Sequence, residues 1–152
     1  MILRCVVGAL MLGVATANAA DGAWGPWPSP KDSPLVAAGF KHDDGGALIV
    51  MCDTKAKLMS LGIEEPRASW TAGTPMEVTT KADIGKTNGP SHGVVIAPTR
   101  VIVKDDSTWD LSTMGDAQAF FAIGVGGYAR IYPTENFRKA VDPVLAACGD
   151  HF

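Results

Sequence analysis

Residues 89–93 read Gly-Pro-Ser-His-Gly, a match to the G-x-S-x-G pattern that lifts a serine nucleophile onto a strained turn. Asp110 and His151 follow Ser91 in the order in which an α/β-hydrolase supplies its acid and base. The chemistry would be acyl transfer, with His151 taking the Ser91 proton. That elbow needs a strand before the serine and a helix after it. Here the polar "IGKTN" comes before and the β-branched "VVIAP" after, and His151 is next to the last residue, where order is hard to hold. We read the five residues as a turn and place a Ser91 hydrolase third among the functions considered.

Other chemistry is as thinly supported. His42, Asp43 and Asp44 in "KHDDGG", with His92 from another segment, are weak metal-ligand candidates. Adjacent loop residues seldom converge on one ion, and no i, i+4 histidine pair is present, so no metal or other cofactor is expected. Glu64 and Glu65 are neighbours whose side chains diverge, a poor acid/base pair. "GVGG" (124–127) runs from an expected helix into an expected strand, the reverse of a phosphate-binding loop. Met51, Met59, Met76 and Met114 fall in apolar patterns and suit core packing. With no catalytic constellation left, the protein reads as a non-enzyme. Trp24, Trp27 and Trp70 remain as residues that could meet a ligand or partner.

The first residues set the compartment. Arg4, the apolar stretch Val6 to Val14 and the small-residue pattern Ala17-Asn18-Ala19 have the form of a signal peptide cleaved after Ala19. The stretch is shorter than the roughly 20 residues that span a bilayer. Losing residues 1–19 removes Arg4 and Cys5, so the formal charge goes from −3 to −4 and two cysteines remain. An acidic chain without a basic cluster has no general attraction for nucleic acid or anionic lipid surfaces. The expectation is a soluble protein exported to a periplasm or beyond, not an integral membrane protein. In an oxidising compartment Cys52 and Cys148 should pair, closing a loop of nearly a hundred residues worth about 4–5 kcal/mol in the chain-entropy model.

The elements that position these residues follow from periodicity. Residues 20–34 form an extended Pro/Trp-rich lead, with Trp24 or Trp27 packed back on a single domain of residues 35–152. "GALIVMC" (46–52) and "AKLMSLGI" (56–63) should form an antiparallel hairpin. "MEVTT" (76–80) alternates as a half-buried strand, and a long loop runs from there to His92. "GVVIAP" and "TRVIVKD" (99–105) are a bent strand or a tight hairpin. Thr113 with Asp116 reads as a capping box opening a helix through Met114, Ala117, Phe120 and Phe121 to Gly124. "GGYARIYP" (126–133) alternates. A last helix, capped by Thr134 and stopped by Gly149, carries Phe137, Ala140, Val141, Val144, Leu145 and Cys148 on one face. Pro143 predicts a kink or a restart there, with Asp142 as a second cap. Cys148 lies on the face that must meet the sheet, and Cys52 ends a buried strand.

The layout of residues 46–149 resembles that of small exported bacterial proteins, the VasI-like type VI secretion accessory proteins and, more distantly, the invasion-associated locus B proteins. The parts that carry the likeness are "LIVMC", "KLMSLGI", "MEVTTKAD", a late helix followed by a strand, and "LAAC". "DPVL" in the last helix and the Pro/Trp-rich lead depart from it. The resemblance implies a sheet domain stapled by Cys52 and Cys148 with an accessory or surface role. Together these readings give an α+β domain, an antiparallel sheet or sandwich with two helices in its C-terminal part. The expected function is non-enzymatic binding of a protein or cell-envelope component; the alternative is a small-ligand domain using exposed tryptophans.

Overall fold

The computed structural model describes residues 22–104 and 107–152. The expected signal peptide and its cleavage site, with Cys5, and the end of "TRVIVKD" at Asp105 lie outside the described residues. Elements follow in the order β1 (Gly25–Pro26), β2 (Leu35–Lys41), β3 (Ala47–Asp53), β4 (Leu58–Glu64), β5 (Pro75–Ala82), β6 (Thr87–Ala97), β7 (Arg100–Val103), α1 (Ser107–Asp116), β8 (Phe120–Val125), β9 (Tyr128–Pro133) and α2 (Phe137–Cys148). The strands make one sheet in the order β1-β2-β3-β4-β7-β6-β5-β8-β9, antiparallel throughout.

The sheet curls until its two ends meet. Tyr132 of β9 lies 5.8 Å, ring to ring, from Phe40 of β2. Trp24, just before β1, donates its indole N–H to the Pro133 carbonyl at 2.6 Å. Strand alternation aims Leu48, Val50 and Cys52, then Leu61 and Ile63, then Phe121, Ile123 and Val125 into one enclosed core. Each such burial is worth about 1.5–3 kcal/mol against exposure. Both helices pack on this concave side. α2 lies over β1 to β4 through Phe137, Val141, Val144 and Leu145, and α1 lies over β4, β5 and β6 through Leu111 and Met114.

Covalent and polar ties fix the end of α2. Cys52 and Cys148 are disulfide-bonded, with Cα atoms 5.8 Å apart. Lys57, in the β3–β4 turn, donates from Nζ to the Ala147 carbonyl at 2.8 Å, placing a cation at the negative end of the helix. Gly149 closes the helix in the left-handed conformation (φ 83°), donating its N–H to Ala146 O. The helix runs unbroken through Pro143, which is exposed, so the restart and the Asp142 cap do not occur.

Several boundaries differ from expectation, each for a local reason. The strand β2, "LVAAGFK", has small residues at its centre and shows little alternation. The "GPSHG" segment is strand, not turn: the turn lies earlier, at Gly85 (φ 85°). Between the pairs Val78↔Ser91 and Thr80↔Asn88, β6 carries one residue more than β5, so Gly89-Pro90 forms a bulge that tolerates the missing N–H of proline. α1 starts at Ser107, and Thr113 sits inside it, donating its hydroxyl to Trp109 O. Phe120 and Phe121 belong to β8, whose buried residues 121, 123 and 125 follow period two rather than 3.6. Gly126 and Gly127 (φ 55° and 84°) are the β8–β9 hairpin turn rather than a helix stop. Thr134 binds Gln118 O through its hydroxyl, and Asn136 is the residue before α2.

Candidate functional site

The residues singled out for acyl transfer do not assemble into one site. Ser91 (1 % exposed) and Asp110 (0 %) do come together inside the core, on either side of one amide. Asn88 Nδ2 donates to Ser91 Oγ and to Asp110 Oδ1, each at 3.1 Å, and Thr80 Oγ1 donates to the same Oδ1 at 2.7 Å. Asp110 Oδ2 is buried without a hydrogen-bond partner. No hydrogen bond joins His151 to either residue. It lies exposed in a small groove between α1 and α2 beside Asp116, Arg138 and Phe152. Phe152 fills part of that groove, packing under the Arg138 guanidinium (4.9 Å) and against Phe137.

The "KHDDGG" turn is held by a cation. Arg130 of β9 forms a bidentate pair with Asp44 (3.0 and 2.8 Å) and two further bonds to Glu65 (2.8 and 3.0 Å). Glu65, 1 % exposed, also accepts from Arg67 Nε and Nη2, both at 2.7 Å. The Arg67 hydrogen bonds, with those of Arg130, hold the Glu65 carboxyl far below the usual glutamate range. Arg130 likewise lowers Asp44, and its own proton is held more tightly. Burial, then the Arg130 charge, lowers His42, whose ring lies 5.0 Å from those of Phe40 and Tyr132. Burial raises the Tyr132 phenol. His92 lies on β6, opposite Glu77 of β5. Among the described residues, no group of three or more His, Cys, Asp or Glu is arranged to hold a metal ion.

The three tryptophans have three different tasks. Trp24 (7 % exposed) is core, surrounded by Phe40, Phe121, Tyr132 and Phe137. Trp70 lies over the β8–β9 turn, 5.9 Å from Tyr128, where a Cβ on Gly126 would meet its indole at 2.7 Å. Trp27 lies on the opposite, convex face of the sheet. Its ring fills the space above Gly39, where a Cβ would stand 2.6 Å from Trp27 Cε3.

That convex face carries an apolar groove. The outward side of an antiparallel sheet is ordinarily polar. Here one row of paired residues crosses five strands as Gly39–Ile49–Gly62–Ile102–Val94. The row beside it reads Lys41–Ala47–Glu64–Arg100. The small residues at 39, 47 and 62 leave a trough, and Trp27, Pro28 and Pro30 of the lead wall it on one side. The groove has a volume of about 490 Å³, within the roughly 300–1,000 Å³ of ligand sites. Its charges are confined to one edge. Arg100 Nε donates to Glu64 Oε2 and Thr99 Oγ1 to Glu64 Oε1, both at 2.6 Å.

Of the residues marked from the sequence as possible ligand or partner contacts, Trp27 alone lines this groove, and Met51, expected in the core, lies half-buried in it. The signal in the sequence is "ALIVMC" together with "VVI" and "VIV": continuous rather than alternating apolar runs mean that both faces of a strand meet apolar surroundings. Trp109 is 69 % exposed on α1. Fold and groove together define a class, a curled antiparallel sheet closed by two helices with an apolar trough on its convex side. No family model, no curated protein and no solved structure matches the chain.

Proposed function

We propose that this protein is an exported, non-enzymatic accessory protein that binds a cell-envelope component in the convex groove. The observation that carries the reading is the apolar row under Trp27. A sheet face kept apolar, floored with glycine and walled by its own Trp-Pro-Ser-Pro segment, is costly in water and useful for binding. The signal-peptide pattern of residues 1–19 and the pairing of Cys52 with Cys148 support export. The likeness in layout to VasI-like and invasion-associated locus B proteins supports an accessory role. No helix among the described residues is long and apolar enough to cross a membrane. The Ser91 hydrolase draws no support from a serine that is buried and separated from His151.

Binding is tested with anilinonaphthalene sulfonate, which fluoresces in apolar clefts. The folded protein should bind it saturably at one site. Gly62→Val should abolish that binding without unfolding the domain, because the new side chain fills trough space and its Cβ meets closely only the movable Met51 Cε (3.1 Å), with Ile49 at ordinary contact distance (3.7 Å). Equal binding by both proteins, or none by either, contradicts the assignment of the groove. Amino-terminal sequencing of periplasmic protein should begin near Ala20, and retention of residues 1–19 contradicts export by cleavage.

A further inference from the structure

We infer that Asn88–Gly89 is a site of spontaneous deamidation which the docked helix α1 keeps silent, so that a loosening of α1 from the sheet is converted into a permanent one.

An asparagine followed by glycine is open to this reaction because glycine has no Cβ to hinder its own backbone nitrogen. The Gly89 nitrogen bonds to Asn88 Cγ and gives up its proton. The Cγ–Nδ2 bond breaks, and ammonia leaves with that proton. Solvent water then opens the five-membered succinimide. Attack at Cγ leaves aspartate; attack at the main-chain carbonyl leaves isoaspartate, with the chain running through the former side chain. The local backbone leaves room for it. Gly89 and Pro90 form the bulge of β6 and have no partner residue on β5. Gly89 is exposed, and a Cβ built on it would meet nothing within 4 Å.

The restraint comes from inside. Asn88 Nδ2 donates to Asp110 Oδ1 on α1 and to Ser91 Oγ, both at 3.1 Å. Asp110 and Ser91 are buried, and Thr80 Oγ1, on the strand facing Asn88, fixes the same Asp110 oxygen at 2.7 Å. An anionic acceptor on the amide hydrogens strengthens the amide resonance and makes Cγ a poorer electrophile. The two bonds also aim the amide into the core, away from the Gly89 nitrogen. This latch lasts only while α1 lies on β5 and β6.

The product cannot close the latch again. Where the amide gave Asp110 Oδ1 a donor, the new carboxylate sets a like charge against it. Asp110 Oδ2 has no hydrogen-bond partner to compensate, and a buried charge without one is costly. Isoaspartate also lengthens β6 by one methylene. Loss of ammonia makes the change one-way.

The disulfide-bonded protein is kept in mildly alkaline buffer, either folded or in guanidinium chloride. Its tryptic peptide 87–100 contains no asparagine or glutamine besides Asn88, and is followed by mass and by chromatography that separates aspartate from isoaspartate. Conversion should be at least tenfold slower in the folded protein than in denaturant. Asp110→Ala should remove most of that protection. Should that variant not fold, Ser91→Ala, which takes away only the second acceptor, should raise the folded-state rate a few-fold. Gly89→Ala should slow conversion in denaturant at least tenfold and leave the melting temperature unchanged. Asn88→Asp should speed amide exchange in α1 more than in α2. No conversion of the wild type in denaturant overturns the site. Equal rates in the folded and denatured protein, or an unchanged rate in the latch variant, overturn the role of α1. Wild-type exchange of α1 in Asn88→Asp overturns the permanence.

Discussion

Glu65 is the charged side chain on which the closed end of the sheet depends. It is nearly fully buried between Arg67 and Arg130, and Arg130 carries the tie on to Asp44 in the β2–β3 turn. Removing one partner of a buried pair leaves a charge uncompensated, at about 3–5 kcal/mol. Glu65→Gln should lower unfolding stability at pH 7 by about 3 kcal/mol, measured by chemical denaturation. The carboxyl is depressed in the folded state, so its contribution is complete above the unfolded glutamate value of about 4.3 and is lost as pH falls below it. The wild type should therefore lose stability below about pH 4.3 more steeply than Glu65→Gln. His42 acts in the same direction at a higher pH. Its folded value is lowered by burial and by Arg130, so the unfolded chain takes up the proton first, and stability falls as pH drops below about 6.5. His42→Phe should flatten the pH 5–7 part of the profile, and an unchanged slope there contradicts the assignment. Nothing in "KHDDGG" or "EEPR" foretold this network, because its centre, Arg130, comes from a strand 86 residues beyond Asp44.

At the scale of elements, α2 is the part most clearly written in the chain. Its apolar face, its Gly149 stop and its bond to the sheet were all legible, since Cys148 shares a helical face with Phe137, Val141, Val144 and Leu145. The replacement of Cys52 and Cys148 by alanine should cost about 3–5 kcal/mol and lower the melting temperature. Amide exchange in α2 should rise more than in β5 or β8; uniform loosening would contradict the helix being held mainly at that end. The region around α1 and β8 was less legible. Phe120 and Phe121 fit both a helical face and the start of an alternating strand, and pairing of β8 with both β5 and β9 decided for the strand. The "GPSHG" match misled because a bulge brings glycine and proline into a strand interior, where sequence patterns expect a turn.

For the molecule as a whole, one curled sheet has two faces and both are apolar over part of their area. The concave face is filled by Trp24, the two helices and the strands' own alternating residues. On the convex face the lead covers Gly39 and leaves the trough beside it open. The antiparallel architecture could be inferred from short apolar runs and turn residues. The groove could not, because its row is assembled across strand registers that no single segment contains. The central claim is that this trough is the binding surface. The most direct measurement is an amide NMR titration of the folded protein with anilinonaphthalene sulfonate. Resonances of Trp27, Ile49, Gly62 and Ile102 should shift together and saturate while those of Ser91 and Asp110 stay in place. Shifts clustered instead at Thr108, His151 and Phe152, or none in the trough at saturating ligand, would contradict the account.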